Sequence, residues 1–286
     1  MTRSVDAQSL AQVAREVAQE AAARARSRRT ELFPETGHRP PERSVAAKST
    51  PTDPVTVADT ETETFIRELL GRRRPGDAVL GEEAGGSAAA PAGVRWVVDP
   101  IDGTVNFLYG IPAYAVSVAA QVDGESVAGA VVDVARDRTY WAALGGGAWC
   151  DGPDGRRRLS VNPITDLSMA LVATGFGYAP GRRRAQGELV AGLLPQVRDL
   201  RRVGAAALDL CMVASGAVDA HIEHGLSPWD WAAGGLIAAE AGARIVLPPA
   251  DSRSDEGYPT IAAAPGIADR FLDVLDDLGG LRRLDA

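Results

Sequence analysis

From Val5 to about Arg28 the apolar residues Leu10, Val13, Val17 and Ala21 recur three or four positions apart, with Glu16, Glu20 and several arginines on the other faces. That period predicts an amphipathic α-helix with one stripe against a core. Pro34 to Pro54 then adds Pro40, Pro41 and Pro51, and so many residues lacking an amide donor predict a loop with Lys48 inside it. A second helix is predicted from about Asp59 to Leu70, ended by Gly71 to Gly76. A Gly/Ala-rich stretch from Ala84 to Gly93 separates Gly81-Glu82-Glu83 from a short apolar strand, Trp96-Val97-Val98. Beyond the turn Asp99 to Thr104, runs at Tyr114–Gln121, Val127–Ala135 and Thr139–Leu144 are joined at Asp123-Gly124 and Arg136-Asp137, the pattern of hairpins in an antiparallel sheet. Past Asn162 helical and strand patterns alternate. Helices are expected near Arg184–Leu194 and Ala205–Ser215, a strand at Val218–Ile222, then helix, strand and a last helix to about Leu278. Such alternation predicts an α/β second half on a mixed sheet. The expected division is an N-terminal α+β half, residues 1–160, and a C-terminal α/β half, residues 161–286.

Composition narrows the function. The chain has 286 residues, 45% hydrophobic and 24% charged, the proportions of a globular protein with a sizeable core. Its 38 acidic and 30 basic residues leave a net charge of -8, which argues against a general polyanion-binding surface. Two cysteines, Cys150 and Cys211, and three histidines support neither a disulfide framework nor a Cys/His zinc site, so a metal would be held by oxygen. The N-terminus lacks the apolar run of a signal peptide, and no stretch reaches the roughly 20 apolar residues of a membrane span. The cytoplasm is the expected compartment.

The chemistry concentrates in Trp96-Val-Val-Asp99-Pro-Ile-Asp102-Gly103-Thr104. A strand enters a turn that carries two carboxylates. Pro100 fixes one backbone angle, and Gly103 permits close backbone approach. A helical turn starting near Thr104 would offer its free amides to a phosphate. Carboxylates beside a phosphate repel it unless divalent cations lie between them, and an oxygen-only ligand set favours magnesium. Paired aspartates in a turn also read as caps, and singly Asp59 and Asp230, each at the head of a predicted helix, read equally as N-caps. Here the acidic residues recur as a set: Asp53-x5-Asp59, Gly81-Glu82-Glu83, Asp99-Pro-Ile-Asp102-Gly-Thr, and Trp229-Asp230-Trp-Ala-Ala-Gly.

That set, in this order and spacing from the N-terminal helix to Gly242, resembles the inositol monophosphatase family, and within it the bacterial inositol-1-monophosphatases, the run Lys48-Ser-Thr-Pro-Thr-Asp53 included. The resemblance implies a layered αβαβα sandwich, lithium-sensitive catalysis with two or three magnesium ions, and a homodimer. It also implies roles. Glu82, Asp99 and the Ile101 carbonyl would bind one magnesium; Asp99, Asp102 and Asp230 would bind a second. Glu82 and Thr104, with Asp59 behind Thr104, would activate water. The substrate would lie against Glu82, Ile101, Asp102, Gly103, Thr104 and Asp230 at its phosphate end, and against Gly204, Ala205, Ala206 and Glu223 at its sugar-like end. Ala205 stands where some members carry threonine, and His224 follows Glu223, which opens the question of the polyol. Relatives of the same fold act on histidinol phosphate, fructose 1,6-bisphosphate or nucleotide 3'-phosphates, and some bacterial members are attributed a role in transcription or ribosome biogenesis.

Three other features read as structure. His221 is expected in the core, the run Arg182-Arg183-Arg184 as a solvated helix start, and Gly145-Gly-Gly147 as a turn. His224 stays open.

Overall fold

The structure, a computed structural model, describes residues 6–33, 45–47, 54–86 and 93–285. Lys48 and Asp53 lie outside them. Helix α1, Ala7–Leu32, starts where the Asp6 carboxylate accepts from the Gln8 amide at 3.1 Å. It buries Leu10, Val17 and Ala21 of the predicted stripe, with Ala14 and Ala25 added and Val13 half-buried at its edge, the alanines allowing close approach. Short strands β1, Val45–Ala47, and β2, Pro54–Thr56, pair antiparallel before α2, Val57–Arg73.

A seven-stranded sheet follows: β3 (Ala78–Gly81), β4 (Val94–Asp102), β5 (Ala115–Val122), β6 (Glu125–Asp133), β7 (Arg138–Ala143), β8 (Ala148–Gly152) and β9 (Gly155–Arg158), in that spatial order, with the six-residue α3, Thr104–Tyr109, between β4 and β5. The expectation of an antiparallel sheet holds from β4 to β9. It fails at the edge, where β3 runs parallel to β4.

The second sheet has the order β11 (Asp199–Arg201), β10 (Leu171–Thr174), β12 (Ala220–His224), β14 (Pro259–Ala263), β13 (Arg244–Val246). The first three are mutually parallel and the last two pair antiparallel, so the sheet is mixed, as expected. Helices α4 (Pro180–Leu193), α5 (Ala206–Ala214), α6 (Pro228–Glu240) and α7 (Pro265–Asp277) complete the chain.

Three apolar clusters define the layers. One lies between α1 and α2 and the first sheet, one joins that sheet to α5 and α6, and one joins the second sheet to α4 and α7. The order is αβαβα. Helix α6 approaches β6 so closely that a Cβ placed on Gly129 would lie 2.9 Å from Ala233 Cα.

Candidate active site

Asp99 and Asp102 both belong to β4, because the segment read from sequence as a turn continues the strand. In a regular strand residues three apart face opposite sides. Here Asp99 pairs with Ser117 and Asp102 with Ala115, three residues against two, so a β-bulge inserts one residue and turns both carboxylates to the same side. Pro100, which cannot donate to a ladder, sits within it. The Asp99 Oδ1 accepts from the Ile101 amide at 2.9 Å and closes the bulge. Gly103 follows with φ 89°, and a side chain there would meet the Ala113 carbonyl at 2.9 Å, so glycine is required twice over.

Three helix N-termini meet this bulge. Asp59 is the third residue of α2, not its cap: Thr56 caps α2, and the Thr56 amide donates to Asp59 Oδ2 at 2.9 Å. The other Asp59 oxygen accepts from the Thr104 hydroxyl at 2.9 Å, and that hydroxyl also lies 3.1 Å from the Ile101 carbonyl. Asp230 stands likewise third in α6 behind the cap Ser227, whose amide donates to it at 2.7 Å. Helix α5 has no capping side chain of its own. Asp102 serves instead from β4, accepting from the Ala206 and Ala207 amides at 3.2 and 2.8 Å. Ligand oxygens of Asp99, Asp102 and Asp230 thereby all come within 4.8 Å of one another.

Burial and mutual repulsion make this cluster costly while it is ionised. Burial first, opposed by the amides and reinforced by the Glu82 charge, pushes Asp102 up to about 7. Burial, then Glu82 and Asp102, hold Asp230 well above the ordinary carboxylate range. Asp59 is pushed up to about 6 by burial, against its bonds from Thr56 and Thr104. Carboxylates gathered in this way fit a divalent cation, which supplies the missing charge. Glu82 faces the same cleft from the turn after β3. That turn is built on a residue the motifs do not include, Glu63 of α2. Its buried carboxylate accepts from the Glu83 and Ala84 amides at 2.6 and 3.0 Å and is held by Arg67 Nε at 2.8 Å. A side chain on Gly81 would collide with it. The cleft measures about 470 Å³.

The profile of the inositol monophosphatase family matches residues 6–272. The chain belongs to the inositol monophosphatase family. It is 54% identical over 276 residues to the inositol-1-monophosphatase SuhB of Mycobacterium tuberculosis, covering 95% of each chain. The solved structure of Mycobacterium tuberculosis SuhB superposes with TM-score 0.82 at 50% identity, covering 97% of this chain and 99% of that one. A structure of SaIMPase-II with inositol monophosphate bound superposes with TM-score 0.71 at 26% identity, covering 94% and 95%.

Of the residues that the family resemblance singles out, Glu82, Asp99, Ile101, Asp102, Gly103, Thr104, Gly204, Ala205, Ala206, Glu223 and Asp230 all line the one cleft, and Asp59 stands behind Thr104. Burial pushes Glu223, on β12, up to about 8, with Arg202 opposing and Asp102 adding. His224 points elsewhere: it is buried, with Nε2 2.9 Å from the Gly280 carbonyl, and takes no part in the cleft. His221 is in the core, as expected, with neither ring nitrogen bonded. Arg182 corrects the sequence reading. Helix α4 starts at Pro180, earlier than predicted, which turns Arg182 inward to 4% exposure. Glu63, Thr56 and Ser227 escaped the sequence analysis. Thr56-x-x-Asp59 and Ser227-x-x-Asp230 follow the capping-box spacing and could have been found by it, whereas Glu63 carries no local signal.

Proposed function

We propose that this protein is a magnesium-dependent phosphomonoesterase that hydrolyses a polyol monophosphate, with an inositol monophosphate the favoured substrate. The observation that carries the reading is the convergence of Asp99, Asp102 and Asp230 within 4.8 Å beside a threonine hydroxyl held by Asp59. In this reading Glu82, Asp99 and the Ile101 carbonyl hold one magnesium, and Asp99, Asp102 and Asp230 a second. When bound, the cations neutralise the carboxylates, lower the pKa of water and stabilise charge developing on the phosphate. The Thr104 hydroxyl has one hydrogen, and giving it to Asp59 leaves lone pairs to orient the attacking water. Glu82 accepts that water's proton. The Gly103 and Thr104 amides hold the phosphate. At the polyol end, burial pushes the Glu223 carboxyl up to about 8, and beside Gly204, Ala205 and Ala206 its oxygens face the ring hydroxyls as hydrogen-bond partners. A homodimer, lithium inhibition and a cytoplasmic setting belong to the same proposal, the first two supported by the family resemblance.

Phosphate release from inositol, histidinol, sugar and nucleotide phosphates, with and without magnesium, tests it. Inositol monophosphate should be turned over fastest, and excess chelator should abolish release. Full turnover in chelator would sink the metal assignment, and a clear preference for histidinol or nucleotide phosphate would sink the substrate assignment.

A further inference from the structure

Part of the cleft wall carries no candidate metal ligand: Phe176, Gly177, Tyr178 and Ala179 before α4, Gly225 after β12, and Ser254 and Asp255 in the loop before β14. Arg182, itself buried to 4% exposure, lines the cleft beside it. Its guanidinium donates from Nε to the Leu284 carbonyl at 2.9 Å, and from its two terminal nitrogens to the carbonyls of Ser254 at 2.7 Å and Asp255 at 2.9 Å. The fit is close, since a side chain on Gly225 would collide with the guanidinium and one on Gly177 would meet Arg182 Cδ at 3.2 Å. A buried cation is costly unless its donors are met, because burial strips it of water. Three backbone carbonyls from two places meet them here.

One of those places is the segment Leu281–Leu284. It forms neither helix nor strand, so only specific contacts hold it, and it is tied at several points. The Leu284 amide donates to the Gly257 carbonyl at 2.9 Å, and Arg283 stacks 3.7 Å over the Tyr258 ring. The Tyr258 carbonyl accepts from the Gly225 amide at 3.0 Å, and Gln186, one turn along α4 from Arg182, accepts from the Gly177 amide at 3.0 Å. Ser254 and Asp255 are thus bonded to Arg182 directly, Gly225 is bonded to Tyr258 beside the Gly257 that Leu284 holds, and Gly177 is bonded to Gln186 on the helix that carries Arg182.

We propose that Arg182 and the segment Leu281–Leu284 form a single clamp that fixes this wall, so that this segment acts as a positioning device for the polyol end of the substrate. The inference rests on the phosphatase reading above. The carboxylates and Thr104 owe their placement to β4, α2 and α6, and the clamp's hydrogen bonds described above go to other segments. Losing it should therefore loosen recognition of the polyol and spare the chemistry.

The test compares the intact protein with a chain ending at Leu281, which keeps the Gly280 carbonyl used by His224, with Arg182→Lys, and with the combination. Kinetics on inositol monophosphate and on para-nitrophenyl phosphate, which has no polyol, are measured with magnesium. Hydrogen exchange is followed at residues 176–179, 225 and 254–258. We expect each single change to raise KM for inositol monophosphate about tenfold with kcat within about twofold, a loss of binding and not of transition-state contacts. The combination should be no worse than the worse single change, because both break one clamp. Exchange along the wall should speed up in all three variants. Unchanged KM and exchange, additive losses, or an equal fall on both esters would overturn the clamp, and so would global unfolding of the shortened chain. If the intact protein turns over neither ester, the phosphatase reading has failed, and the exchange data alone decide the clamp.

Discussion

Thr104 has one hydroxyl hydrogen and two acceptors near it, and Asp59 at 2.9 Å is the better placed. The site is built from such single commitments. Asp230 makes one amide bond, to Ser227, and everything else about its position is unfavourable while it is ionised, since burial and the charges of Glu82 and Asp102 all raise its pKa. Asparagine keeps that amide bond and drops the charge. Asp230→Asn should leave melting in metal-free buffer unchanged or slightly raised, while phosphate release at moderate magnesium falls by at least about a hundredfold, the lower end for one lost preorganised electrostatic contact. Near-normal rates across a magnesium titration would show that Asp230 is only part of a capping box. At this scale the sequence was informative because the chemistry needs particular side chains: the carboxylates, Gly103 and Thr104 are all visible in motifs. Glu63 was not, since it acts through backbone amides 20 and 21 positions further along the chain, and nothing local distinguishes it from any helical glutamate.

Elements bring those side chains together, and their legibility depended on how local their cause is. The apolar run at Trp96 announces β4, yet the strand extends to Asp102 through a bulge that only the pairing with β5 defines. Strand β9 consists of glycine and three exposed arginines, with no apolar pattern to read, and forms because β8 offers it a ladder. The parallel pairing of β3 with β4 concerns strand direction, which no hydrophobic period encodes. Helix α6 carries Asp230, and its height above the sheet is set where Gly129 of β6 meets Ala233. Gly129→Val should push the helix outward, costing about 1–3 kcal/mol as an overpacked contact. It should also weaken magnesium binding, seen as a lower melting midpoint together with a higher magnesium concentration for half-maximal turnover. A lowered midpoint with unchanged magnesium dependence would mean that α6 tilts about Asp230 without moving it.

Across the molecule the five layers leave one acidic cleft with too few cations of its own, and stability should register this. Asp59, Asp102 and Glu223 have folded-state pKa values of about 6, 7 and 8 against ordinary values of 3.8, 3.8 and 4.5. Between those limits the folded state binds more protons than the unfolded, so the contribution is present below about pH 4 and is lost as pH rises through 6 to 8. In chelator the protein should melt at a lower temperature at pH 8 than at pH 5.5, and magnesium should narrow the gap by favouring the ionised forms. A midpoint indifferent to both would mean the cleft is wetter and less strained than its burial implies. Layer order was legible only through the family resemblance, because hydrophobic periods say that a face is buried and not against what. The carboxylates nonetheless hold the layers as well as the cleft. Asp59 braces the start of α2, Asp230 that of α6, and Asp102 lends a cap to α5. A drifting lineage could exchange Asp59 or Asp230 for asparagine, keep every fold contact those residues give their own helix caps, and persist as a silent, well-folded descendant. Asp102 offers no such exit, since its two oxygens serve two amides and an amide side chain has one oxygen to give.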